Sequence, residues 1–339
     1  MIIKKHLKFY THLGYIALLS FLACVFFPSL QIFTPCVFAK GTTLSKYTDS
    51  VDNNVIVIRS QDIAAYNEAI EGFTGGCKSN NISIGAVYDL KGDEEEGKKV
   101  IQDIKINYHK PKLILAVGIL AATIAKKQFT DIPIIYCMVV NHERFDLGGN
   151  NVTGISSEAP IEEQFAIFKK FFGRNKNIGV IFDPTSGSEK IVAEAEQIAQ
   201  LYDFNLIKAE VTLTNEITPA LGKIIDEIDA LWIIPDYVVV TRDSLNTILK
   251  MTSKKRLPTF GSSSAMVKAG ALFSISPDYA YTGLQASQIA RILLNNPDSI
   301  SLGVKKPERL KLAFNTQTAK IIGINLMPFQ SRPDVMLFP

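Results

Sequence analysis

The chain has 339 residues, 47% of them hydrophobic, with 36 basic and 33 acidic residues. That supports a real core and is long enough for two domains rather than one. Lys4, Lys5 and Lys8 account for the excess charge; without the first 39 residues the balance is 33 against 33, which removes any electrostatic case for a nucleic-acid or membrane-surface partner.

Those first residues read as a signal peptide. A basic start is followed by an apolar run from Tyr15 to Phe27 and by Val37-Phe38-Ala39, small or short residues where a signal peptidase cuts after Ala39. Two alternatives stand beside this: a retained membrane anchor, and a lipoprotein acylated at Cys24 within Phe21-Leu22-Ala23-Cys24. Residues 40–54 are a polar linker. Cys77 and Cys137 remain in the exported chain, and an oxidising compartment permits a disulfide. Cys77 is placed just after the first helix and Cys137 inside an apolar strand, so two separately buried thiols are expected.

From residue 55 onward short apolar runs alternate with helical stretches. Val55 to Ile58 is the first strand. Ser60-Gln61-Asp62 is read as the cap of a helix carrying Ala65, Ala69, Ile70 and Phe73, with Gly75-Gly76 ending it. Ile82 to Val87 is a strand, and Glu94-Glu95-Glu96 opens a helix whose N-terminus suits negative charge. Leu113 to Val117 and Ile134 to Val140 complete the first run. The pattern then restarts: a helix from Glu162 to Phe172, a strand Ile178 to Phe182, a helix Ser188 to Tyr202, a strand Asn205 to Val211. A helix Ala220 to Ile228, a strand Ala230 to Ile234, a helix Leu245 to Thr252 and a strand Pro258 to Phe260 follow. Uniformly apolar strands alternating with helices imply parallel sheets covered on both faces. The fold class is therefore α/β, two doubly wound parallel-sheet lobes dividing near Asn151 to Pro160. Residues after about 271 hold a strand, a helix Thr282 to Leu294, a strand near Leu310 and a last helix, which cross back to complete both lobes. The expected bounds are 55–156 plus about 271–303 for lobe 1, and 157–270 plus about 304–339 for lobe 2.

In open parallel sheets, ligands bind outside the carboxyl ends of the strands. Those ends are short and polar here: Arg59 to Asp62, Gly118-Ile119, Asn141-His142, Asp183 to Ser188, Pro235-Asp236 and Gly261 to Ser264. Several precede helices, whose free N–H groups suit an anion. No GxGxxG follows the first strand and no GxxxxGK[ST] or GxSxG occurs, which argues against a dinucleotide enzyme, an ATPase and a serine hydrolase. After the leader only His109 and His142 remain, without metal spacing, so neither a metal nor a cofactor is expected. Trp232, on an apolar strand, is read as core rather than as a stacking platform.

Gly270-Ala-Leu-Phe-Ser-Ile-Ser-Pro-Asp-Tyr279, followed by Gly283-Leu-Gln-Ala286 and Ile292-Leu293, resembles the C-terminal third of the ABC-transporter substrate-binding family, some of whose members bind aromatic amino acids. Asn151-Val-Thr-Gly154, Asp229-Ala-Leu-Trp232, Asn315 to Lys320 with Gly323, Tyr66 and Gly72-Phe73 fit it too, in order along the chain. The resemblance implies a type I periplasmic-binding fold, two lobes that close about a multi-strand hinge onto a small polar ligand. It implies a non-enzymatic, monomeric, periplasmic protein that delivers its ligand to the ABC permease of an importer; the alternative is a sensor that presents its closed form to a membrane receptor. A repressor effector domain shares the architecture but needs a DNA-binding motif where the leader lies. Ligand contacts are expected from Ser60, Gln61, Asp62, Tyr66, Gly118, Ile119, Asn141, His142, Thr185, Asp236, Ser262 and Ser263. Where amino-acid-binding members often have Thr-Asp-Pro, this chain has Val140-Asn141-His142, and Pro235 and Tyr237 flank Asp236 in place of polar residues. Asp236 is expected to be solvent-reachable and to meet a ligand ammonium group.

Overall fold

A strand buried on both faces needs no polar alternation, and the centre of the first lobe's sheet is built from such strands. The computed structural model describes residues 55–108, 110–296, 298 and 300–339. The expected leader, its cleavage site at Ala39, Cys24, the linker and the His109 turn lie outside the described residues. In chain order the first lobe contains β1 (Val55–Arg59), α1 (Ala64–Ser79), β2 (Ile84–Asp89), α2 (Glu94–Tyr108), β3 (Leu113–Val117), α3 (Ile119–Gln128), β4 (Ile134–Val139) and β5 (Val152–Ser156). The second contains α4 (Ile161–Phe172), β6 (Lys176–Phe182), α5 (Ser188–Leu201), β7 (Phe204–Glu210), α6 (Ile217–Ile224), β8 (Ala230–Ile233), α7 (Arg242–Lys254), β9 (Thr259–Gly261), α8 (Ser264–Lys268) and β10 (Phe273–Pro277). The chain returns to the first lobe for α9 (Tyr279–Asn295) and β11 (Val304–Lys305), then to the second for β12 (Leu310–Asn315), α10 (Thr316–Ile322) and β13 (Val335–Phe338).

The sheet orders are β11-β5-β4-β3-β1-β2 and β13-β12-β10-β9-β8-β6-β7. The first is parallel throughout the described pairings, and β10–β12 is the antiparallel pair in the second. The return crossings correct the expected boundaries. β10 pairs with β9 and β12, so the chain leaves the second lobe after Pro277 rather than near 271. β11 pairs with β5, so it belongs to the first lobe rather than opening the second at 304. Both strands are short, and ladder partners far away in sequence decide their sheet.

Each sheet carries apolar clusters on both faces. In the first lobe Val55 and Val57 face α1 and α9, while Ile56 and Ile58 face α2 and α3. In the second lobe, Phe168 stacks on Phe260 at 5.1 Å, and Phe260 on Phe273 at 5.0 Å. The helix α1 corrects another expectation: it runs through Gly75-Gly76 to Ser79 and includes Cys77. Gly72 and Gly76 serve close packing, not termination, while Gly75 faces open space. A Cβ on Gly72 would lie 1.9 Å from the Ala280 carbonyl oxygen, and one on Gly76 2.0 Å from Ser287 Oγ. Gly283 returns the fit from α9, its added Cβ 1.8 Å from the Ala69 oxygen. Backbones that approach this closely leave no room for a methyl group. Cys77 and Cys137 are free and buried in the same cluster.

Candidate functional site

The motifs that carry the family resemblance fold into joints rather than a site. Asn151 Nδ2 donates to the carbonyls of Phe129 (2.8 Å) and Ile132 (2.7 Å), and Gly154 lies under the Tyr136 ring. Asp229 accepts from the Asn177 N–H at 2.8 Å and from Lys176 Nζ at 3.0 Å. Asn315 caps α10 through the Thr318 N–H at 2.7 Å and donates to Val267 O at 3.1 Å. Asp278 caps α9 through the Tyr281 N–H and pairs with Lys311 at 3.1 Å.

Three segments join the lobes: Ser157 to Pro160 between β5 and α4, Asp278 between β10 and α9, and Lys306 to Arg309 between β11 and β12. Gln285 on α9 clasps the third, donating to Lys306 O at 2.9 Å and accepting from the Glu308 N–H at 3.2 Å. Beside these hinges a cavity of about 350 Å³ opens between the lobes. Asn141, His142, Glu143 and Ser156 line it from the first lobe, and Gly187, Lys190, Ile191, Glu194, Trp232, Pro235 and Ser262 from the second. The hinge segments close it with Glu158, Ala159, Lys306 and Pro307, and the end of β11 adds Lys305. Apolar walls with a few convergent polar groups, at the carboxyl ends of β4, β8 and β9, are what a small-molecule site requires.

The cavity draws together Asn141, His142 and Ser262 of the expected contacts. The others lie outside its lining. Ser60 does not cap α1, as the sequence reading had it: Ile63 precedes that helix without a side-chain cap, and Ser60 Oγ accepts from the Ala121 N–H at 3.0 Å, serving α3 instead. Asp62, exposed, pairs with Arg59 at 3.0 Å and accepts from Asn67 at 2.8 Å. Gln61 is exposed too. Gly118, at φ 88°, turns the chain into Ile119 and α3, and the Tyr66 hydroxyl sits against it: a Cβ there would lie 2.7 Å from that oxygen. Burial, then the Cys137 and Tyr237 side chains, pushes the Tyr66 hydroxyl pKa up. Thr185 is exposed and turns back on Asp183 Oδ1 at 2.7 Å, and Ser263 caps α8 through the Ala265 N–H.

Asp236 is the clearest correction. It is 3% exposed, not solvent-reachable. Its Oδ2 accepts from the Asp183 N–H (2.9 Å) and lies 2.9 Å from Ser186 Oγ; its Oδ1 accepts from the N–H groups of Val238 (2.9 Å) and Val239 (3.0 Å). A carboxylate has about four acceptor positions; three backbone N–H groups take three of them, and the Ser186 hydroxyl, which also lies 2.8 Å from Asp183 O, stands at the fourth. Burial works to raise its pKa, but the N–H groups of Asp183 and Val239 and the hydroxyls of Ser188 and Ser186 outweigh that and hold it below the ordinary carboxylate value. Asp236 ties the ends of β6 and β8 together at the cleft floor.

Glu158 was missed by sequence reasoning. Its Oε1 accepts from the Asn141 N–H and its Oε2 from Ser156 Oγ at 2.9 Å. Tyr136 lies nearby: burial, then the Glu158 charge, pushes its hydroxyl pKa up to about 12. The available signal was position, since the segment dividing two lobes is also their hinge. Trp232 is core as expected, 2% exposed with Phe165 at 5.3 Å, yet it also reaches the cavity wall. Its Nε1 donates to Gln164 Oε1 at 2.9 Å, and Gln164 Nε2 donates to Ala159 O in the first hinge segment at 3.0 Å. Across the cleft the Arg144 guanidinium lies 4.4 Å from the Tyr237 ring centroid.

Two parallel-sheet lobes with a cavity between them at a three-segment hinge define a ligand-binding protein of the periplasmic type. The sequence matches the profile of the ABC transporter substrate binding protein family over residues 53–328, and the chain belongs to that family. It is 23% identical over 315 residues to a tyrosine-binding protein of Clostridioides difficile (strain R20291), covering 87% of this chain and 89% of that one. The ligand-free, open structure of a substrate-binding protein with adhesive properties from Clostridium difficile matches with a TM-score of 0.73 at 19% identity, over 84% of this chain and 99% of that one. An ABC domain from Streptococcus pneumonia in complex with L-Trp matches with a TM-score of 0.58 at 20% identity, over 81% of this chain and 96% of that one.

Proposed function

We propose that this substrate-binding protein is exported, acts without catalysis and captures an amino acid with an aromatic or large apolar side chain in the interlobe cavity. The observation that carries the reading is the composition of that cavity. Carboxylates and lysines share it with an apolar wall of Ala159, Ile161, Ile191, Trp232 and Pro235. A zwitterion with an apolar side chain answers all three. The tyrosine-binding relative and the L-Trp complex of a related fold support the same ligand class. The basic and apolar leader supports export. The family supports a role in an ABC importer, with a monomer docking on permease subunits through the rims of both lobes. Asn141, His142 and Ser262 are the expected contacts this reading retains, while Ser60 and Asp236 hold the walls in place.

A thermal-shift panel of amino acids, sugars and nucleosides tests it. A ligand at a hundred times its dissociation constant adds about 2.7 kcal/mol of stability. Stabilisation by L-tyrosine, L-tryptophan or L-phenylalanine is expected; stabilisation by sugars or nucleosides alone would overturn the reading.

A further inference from the structure

The four lone-pair positions of a carboxylate separate Asp236 from Glu158. Those of Asp236 face three backbone N–H groups and the Ser186 hydroxyl. Glu158 has one protein donor on each oxygen, Asn141 N–H and Ser156 Oγ, so each oxygen keeps a free acceptor position. Among the described residues no basic side chain pairs with Glu158. It is half-buried, whereas Glu143 and Glu194 on the same cavity are exposed and solvent-screened, and Glu162, also half-buried, stands in the first turn of α4, where its charge already answers the helix N-terminus. A second group in the cavity is also incomplete. Asn141, 8% exposed, has a buried Nδ2 with no hydrogen-bond partner, and it faces the start of α5, 3.9 Å from where a Cβ on Gly187 would lie. A buried donor left unmade is costly, and a ligand acceptor would satisfy it.

We propose that Glu158 anchors a cationic amine of the ligand at the hinge, with Asn141 Nδ2 donating to an acceptor atom on the same molecule. The assignment rests on the amino-acid reading above and deepens it: it places the ammonium group against the first hinge segment. Because Glu158 stands on the segment that moves between lobes and bonds to the β4 end in the first lobe, an amine held there bears on hinge closure as well as affinity. The anchor therefore selects amines over isosteric acids, alcohols and sugars.

The test is calorimetric titration of the exported chain and its E158Q and S156A variants with L-tyrosine, tyramine and 3-(4-hydroxyphenyl)propionate. Glutamine keeps an acceptor for Asn141 and the shape of the side chain but removes the charge. The expected result is that wild type binds L-tyrosine and tyramine, and that E158Q weakens both by about 10- to 100-fold. Binding of the propionate, which has no amine, should not change between the two. The ligand-free melting temperature of E158Q should stay within about 2 °C of wild type, the scale of an ordinary surface change. S156A removes one bond to Glu158 and leaves its charge, so its loss should be small. L-tyrosine bound equally by wild type and E158Q overturns the anchor and leaves the amino-acid reading standing. Tyramine bound in a Glu158-dependent way without L-tyrosine keeps the anchor and overturns the amino-acid reading. A loss in S156A as large as in E158Q means that Glu158 only shapes the hinge, and overturns the anchor. Failure of wild type to bind either amine overturns both.

Discussion

Replacing Asp236 by asparagine removes one negative charge from a carboxylate enclosed by four donors. An amide offers one oxygen. Whichever edge that oxygen takes, two of the four donors then face an NH₂ group. If the oxygen stays with Val238 and Val239, the Asp183 N–H is left unpaired in a site only 3% exposed. Losing the charge from two hydrogen bonds costs about 1 kcal/mol each, and an orphaned buried N–H about 2 kcal/mol more. The total is about 4 kcal/mol, or roughly 8–16 °C in Tm for a lobe of this size. The loss is expected to depend on pH. The native pKa is held below the ordinary 3.8, so the carboxylate contributes its full stability above that value and loses it as pH falls through the native pKa. The Tm gap between wild type and D236N should therefore be widest near neutrality and begin to narrow only as pH falls below the ordinary 3.8. Calorimetric scans at pH 7, 5, 4 and 3 measure it. L-tyrosine affinity of the folded variant should stay within about threefold of wild type, since no acceptor position faces the cavity. An unchanged Tm with affinity reduced tenfold or more would refute the reasoning and return Asp236 to the ligand.

Four other outcomes follow from the packing. Gly283→Ala should lower Tm by at least about 6 °C, because its Cβ meets backbone at 1.8 Å and α1 and α9 must part; Gly222→Ala, with nothing within 4 Å inside α6, should raise stability by about 0.5–1 kcal/mol. Trp232 is the single tryptophan and lines the cavity, so titration with L-tyrosine should change the intrinsic emission excited at the indole edge, and Trp232→Phe should abolish that signal. The thiols of Cys77 and Cys137 are unpaired and buried, with pKa values pushed up to about 12 by that burial, so a thiol reagent at pH 8 should label both only as fast as the protein unfolds; prompt labelling of the native chain, or a disulfide seen by intact mass, would contradict this.

The alternation of apolar runs and amphipathic segments was enough to read most strands and helices, because burial on two faces or one imposes a local period on the residues themselves. Leu113–Val117 was read to the residue for that reason. What local period does not encode is which distant element completes a contact. Gly76 looks like part of a helix end until α9 is laid against it, and Ser60 looks like the cap of the helix it precedes until α3 places a free N–H above its hydroxyl. Asp236 stood at a strand end, as expected of a cleft residue, but four donors brought from two loops consumed its acceptors. Glu158 has no motif around it. It becomes a candidate anchor because the β4 end supplies one hydrogen bond, Ser156 another, and the second lobe closes a cavity over the rest. A carboxylate's free capacity is set by how many donors the tertiary fold delivers to it, and that number is written in no stretch of sequence shorter than the whole chain.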